Sequence, residues 1–121
     1  MNKELIINTY EEEILLFKEN LLGTFKDNIL TYENETDSFK IDINDHSLEK
    51  ENLESILNIK KEKAILTLKE LNHRLEIPIQ KHNFQNKDNK ITIEYRLESQ
   101  EKTLKIEIEM SDLSLIILYM I

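Results

Sequence analysis

From Lys90 to Leu97 the chain alternates without a break. Ile91, Ile93, Tyr95 and Leu97 fall on one side, and Thr92, Glu94 and Arg96 on the other. Leu75–Ile79 and Thr103–Met110 repeat the pattern. A period of two turns successive side chains to opposite faces of a strand, so each segment predicts one apolar and one solvated face. One-sided strands of this kind belong to antiparallel sheets, since parallel sheets are covered on both faces and lose the alternation. Residues 90–97 and 103–110 are therefore expected to pair as neighbours through a turn at Ser99–Lys102.

Similar segments recur about every ten residues from Phe25 onward, the spacing of a sandwich or barrel. Asp27-Asn28 reads as the tip of a tight hairpin, because Asn and Asp tolerate the left-handed backbone region best after glycine. Asn34–Asp37 and Asn86–Asn89 are further turns, and Phe39, Ile41 and Ile43 alternate with Lys40, Asp42 and Asn44. Two stretches fit helical spacing equally well. Ile14, Leu15, Phe17, Leu21 and Leu22 precede Gly23, a residue suited to a helix C-cap. Leu48, Leu53, Ile56, Leu57 and Ile59 are set among Glu and Lys. Pattern alone thus leaves an α+β alternative open, with helices near 11–22 and 47–63.

The 121 residues fit a single domain, 1–121, with no linker or repeat dividing it. Without cysteine there is no disulfide, thiolate nucleophile or cysteine-held metal, which is compatible with a reducing cytoplasm, the expected location. A formal net charge of −8 repels phosphate backbones and disfavours nucleic acid as a partner. The N-terminal apolar stretch is too short for a signal peptide. Leu113–Ile121 is almost wholly apolar but less than half the length of a membrane span, which predicts a buried last strand or a contact with a partner, most simply a second copy.

Glu12-Glu13-Ile14, the run from Gly23 to Glu33, Phe39-Lys40-Ile41, Arg74–Ile79 and Lys90–Leu97 resemble the YwiB-like family of small, uncharacterised bacterial proteins over roughly residues 3–110. Departures occur at Lys60–Lys63 and Glu70–His73, where that family is expected to carry a glycine and a Thr-Pro turn. The resemblance implies an all-β fold: a closed antiparallel barrel of about 8–10 strands, of the calycin or lipocalin type. It would make Glu11–Leu22 and Leu53–Leu68 strands, and it brings no catalytic residues to transfer.

Candidate chemistry is sparse. His46, His73 and His82 form no metal-ligand spacing and sit in expected turns. Asp42–Asp45 opens like a calcium loop but has Ser47 and Leu53 where glycine and glutamate are required. One glycine excludes a phosphate-binding loop, and no nucleophile elbow is present. The expectation is a binding protein without cofactor or metal, not an enzyme. Its ligand would be small and apolar or amphipathic, held inside or at the mouth of the barrel. The candidate ligand-binding residues are Tyr95, inward by parity, Tyr32, whose parity depends on hairpin register, and Arg96. Parity turns Arg96 and Arg74 off the apolar face, where pairing with Glu across strands is the simpler role. The alternative function is a protein–protein interaction module that pairs through a strand edge or the apolar C-terminus.

Overall fold

A computed structural model describes residues 2–112, and all their regular structure is strand. The Leu113–Ile121 segment, and with it the expected last strand or partner contact, lies outside the described residues. Ten strands follow in order: β1 (Asn2–Glu11), β2 (Ile14–Lys26), β3 (Ile29–Glu33), β4 (Ser38–Asp42) and β5 (Ser47–Glu51), then β6 (Ser55–Ile59), β7 (Lys63–Leu68), β8 (His73–Lys87), β9 (Lys90–Leu97) and β10 (Leu104–Asp112). Each pairs antiparallel with the next, and β10 returns to β1, with Ile7 opposite Ile108, to close the barrel. Closure leaves no outermost strand. This all-β barrel agrees with the calycin-type architecture and excludes the helical alternative.

Turn chemistry explains how one glycine suffices. Asp27-Asn28 and Asp88-Asn89 form two-residue turns with φ of 53°, 62° and 54°, 61°, in the left-handed region that these residues accept. The Asn34 carboxamide oxygen accepts backbone N–H groups of Thr36 and Asp37 at 3.0 and 2.8 Å, and Asn52 accepts those of Glu54 and Ser55 at 2.9 Å. Glu12-Glu13 adopts left-handed φ values of 48° and 72° without such help. That tip is anchored to the β9–β10 loop by Glu12 N–H to the Thr103 carbonyl at 3.1 Å and Thr103 N–H to Glu12 Oε1 at 2.7 Å.

Alternation becomes a sorted wall. Ile91, Ile93, Tyr95 and Leu97 are buried and face Ile106 and Ile108 in the lumen. Outside, lysines pair with glutamates across strands, as in Lys90–Glu107 at 3.1 Å and Lys81–Glu94 at 3.4 Å. Pairs this exposed contribute roughly 0–1 kcal/mol each. A charged exterior around an apolar lumen is the reverse of a membrane-spanning barrel, whose outer band is apolar.

Both helix-compatible stretches owe their appearance to irregularity in strands. In β2 the inward set is Phe17, Glu19, Leu21, Gly23 and Phe25, and a bulge opposite Thr9–Tyr10 inserts Leu16. One inserted residue shifts the phase of a period-two pattern and mimics helical spacing. In 47–63, two short strands contribute Leu48, Leu57 and Ile59 to the lumen, while the intervening loop exposes Leu53. Gly23 caps nothing. It sits buried in mid-strand, where an added Cβ would lie 2.7 Å from Leu5 Cδ1 and 2.9 Å from the Thr31 carbonyl oxygen.

His73 and His82 lie in β8, not in turns as the sequence suggested. That strand runs fifteen residues by changing partners, pairing with β7 up to Pro78 and with β9 from Ile79, with a bulge before Lys81. Proline is accommodated where one ladder ends. Near the far end of β8, the His46 ring stacks on Phe84 with centroids 4.7 Å apart, and His82 Nε2 lies 3.1 Å from the His46 carbonyl oxygen. Burial pushes His82 below its ordinary pKa. The bond to the His46 carbonyl opposes this, and the His46 and Lys61 charges add to it. The folded state therefore favours neutral His82. That contribution is present above the unfolded histidine value of about 6.5 and is lost as pH falls through the folded value. Thermal melting of the native protein against His82→Gln should show the native protein losing ground as pH falls below about 6.5, with no such difference above it.

Candidate functional site

The two ends of the barrel differ. At the end formed by the β2–β3, β4–β5, β6–β7 and β8–β9 turns, the lumen is filled: Leu5, Leu30, Ile41, Ile91, Ile93 and Ile108 are at most 1 % exposed. We term this the floor. The opposite end, formed by the β1–β2, β3–β4, β5–β6, β7–β8 and β9–β10 loops, is the mouth. There the wall side chains do not meet, and a cavity of about 230 Å³ remains. A wider hollow of about 710 Å³ between the 34–37 and 52–54 loops is shallow and open to solvent. Enclosure, not volume alone, determines how much of a ligand can be buried, so the lumen is the better candidate.

The cavity wall mixes aliphatic, aromatic and polar side chains. Its aliphatic members are Ile7, Leu48, Leu57, Ile59, Leu104 and Ile106, with Leu104 directly opposite Tyr95. Among them sit four aromatic rings, Phe17, Tyr32, Phe39 and Tyr95. The Tyr32 and Phe39 rings stack with centroids 4.8 Å apart and planes within 13°, as directly opposite residues of β3 and β4 can do. The polar lining includes Asn34 and Asp37 from the 34–37 mouth loop, Lys50 on β5, and Glu19, which lies two residues further into β2 than Phe17 and opposite Ile7. Asn34 Nδ2 donates to Glu19 Oε2 at 3.2 Å, and Asp37 accepts from Thr36 Oγ1 at 2.7 Å and Asn52 Nδ2 at 3.4 Å.

Tyr32 and Tyr95 are 6 % and 7 % exposed, yet neither phenol oxygen has a hydrogen-bond partner among the described residues. The side-chain polar atoms sealed from solvent without a partner among the described residues are Asn8 Oδ1, Asn58 Oδ1 and Arg96 Nε, so both phenol oxygens stay open to water or a ligand. Burial raises the pKa of both phenols, and the Glu19 carboxylate adds to the rise at Tyr32, so both remain neutral.

Of the residues expected from sequence, Tyr32 and Tyr95 come together on the cavity wall and Arg96 does not. Arg96 follows the outward parity of β9, opposite Lys81, and Arg74 is exposed in β8. Glu19, Lys50 and Asp37 were not anticipated. Lys50 was accessible to parity, since it follows Leu48 by two and pairs with Phe39 and Leu57. Glu19 was hidden by the bulge at Leu16. The described residues hold no group of three His, Asp or Glu side chains suited to a metal, and no helix long and apolar enough to cross a membrane. Comparisons with protein-family models, curated proteins and solved structures find no match to the chain.

Proposed function

We propose that this barrel binds a small amphipathic molecule in the cavity at its mouth, with its apolar part against the aliphatic side chains and its polar part against the polar ones, Glu19, Asn34 and Asp37. The observation that carries the reading is the asymmetry of the lumen: packed solid at the floor, hollow at the mouth, with two unpartnered phenols facing the hollow. At about 30 Å³ per water-sized group, the cavity has room for roughly eight heavy atoms, which favours a short ligand over a long acyl chain. The YwiB-like resemblance supports the barrel architecture that makes such a lumen possible, and fold alone does not assign a ligand.

Titration with 1-hexanol tests the reading in calorimetry. Saturable binding to the native chain is expected, and Leu57→Phe, which fills part of the cavity, should weaken it about tenfold or more while leaving the far-ultraviolet strand spectrum unchanged. A native protein that binds no 1-hexanol would overturn it. In that case the interaction-module reading takes precedence. Its support is the β2 segment Ile14–Leu22, which pairs with β1 but extends past the pairing with β3 and exposes Ile14, Leu15 and Leu22.

A further inference from the structure

Resting on that reading, we infer that the ligand's polar end is a cation, an organic ammonium, received by the Glu19 carboxylate beneath the acidic loops of the mouth. Three independent features of the site converge on this choice.

The first is the distribution of acceptors. Glu19 and Asp37 both border the cavity, and Glu19 Oε1 has no hydrogen-bond partner among the described residues. The unpartnered Tyr32 oxygen belongs to the same wall. An ammonium brings only donors, and its bonds to a carboxylate are charge-assisted and correspondingly strong. The second is the aromatic layer. Phe17, Tyr32, Phe39 and Tyr95 line the same cavity as Glu19, and ring faces attract cations, most strongly where water is partly excluded. The third is the field. The five mouth loops, residues 12–13, 34–37, 52–54, 69–72 and 98–103, carry eight acidic residues and two lysines. Such a ring concentrates cations at the opening and repels anions.

Lys50 is the cation on the cavity wall, and an anionic head group would have to rely on it after crossing the acidic loops. It is exposed, so its ammonium is free to extend into water and leave Glu19 and Asp37 dominant.

The test compares three probes of one chain length: n-hexylammonium, n-hexanoate and 1-hexanol, titrated into the native protein by calorimetry at low salt. Hexylammonium should bind about tenfold more tightly than hexanoate, the effect of one charge-assisted hydrogen bond. Raising the salt should narrow the gap, because exposed mouth charges are screened. Glu19→Gln should lower hexylammonium affinity about tenfold and 1-hexanol affinity far less, because a carboxamide oxygen still accepts from a hydroxyl but carries no charge, with Asp37→Asn as a second variant should the first fail to fold. Hexanoate binding as tightly as hexylammonium, or an unchanged hexylammonium affinity in Glu19→Gln, would overturn the cation assignment while 1-hexanol binding still supports the cavity. Failure of all three probes overturns the assignment and the cavity reading together.

Discussion

Ile93→Ala should destabilise the barrel by about 2–5 kcal/mol, the usual range for truncating a fully buried aliphatic side chain. Ile93 is 1 % exposed on β9, opposite Ile106 and Phe84 on the two neighbouring strands, so nothing flexible stands ready to fill the void. Its neighbour Glu94 faces outward and pairs with Lys81 at 3.4 Å. Glu94→Ala should change stability by about 0.5 kcal/mol or less, as surface substitutions usually do. Urea unfolding of the two variants measures the contrast directly. Equal effects at 93 and 94 would contradict the inward–outward sorting of the wall.

Gly23→Val should be comparably damaging for the opposite reason. A Cβ at Gly23 would press on Leu5, whose Cδ1 can adjust, and on the Thr31 carbonyl oxygen, which is fixed in the β2–β3 ladder. Valine adds two further methyl groups in a space already below van der Waals contact. Overpacking of this kind typically costs about 1–3 kcal/mol, and more where backbone must move. Gly23→Ala should show the smaller part of the loss. A valine variant as stable as the native chain would mean that β2 does not approach β3 this closely.

The contrast between these sites shows what the chain makes legible. Strands β9 and β10 are regular, so parity alone placed Ile91, Ile93, Tyr95, Ile106 and Ile108 inside and identified the turn between them. Asp27-Asn28 announced its hairpin because those residues are suited to positive φ, whereas Glu12-Glu13 occupies the same backbone region with no such signal. Where a strand is bulged, parity fails. Leu16 shifts the phase of β2, which made 11–22 look helical, disguised Gly23 as a cap and hid Glu19. Pro78 and the bulge before Lys81 did the same for β8, concealing that His82 belongs to a strand. The site suffered most, since its polar side chains come from a bulged strand and from loops whose convergence depends on barrel closure. Tyr95 was recoverable from a regular strand. Its juxtaposition with Tyr32, four strands away around the wall, was not.

The central claim is that the hollow half of the lumen, and not the packed half, takes up a ligand. Methyl-resolved nuclear magnetic resonance during a 1-hexanol titration tests it most directly, because the two halves carry separate reporters. Saturable shifts are expected at Leu48, Leu57, Ile59, Leu104 and Ile106, with Leu30, Ile41 and Ile91 at the floor unmoved. Shifts confined to surface leucines such as Leu53 and Leu71, or no saturable shift at any lumen methyl, would contradict it.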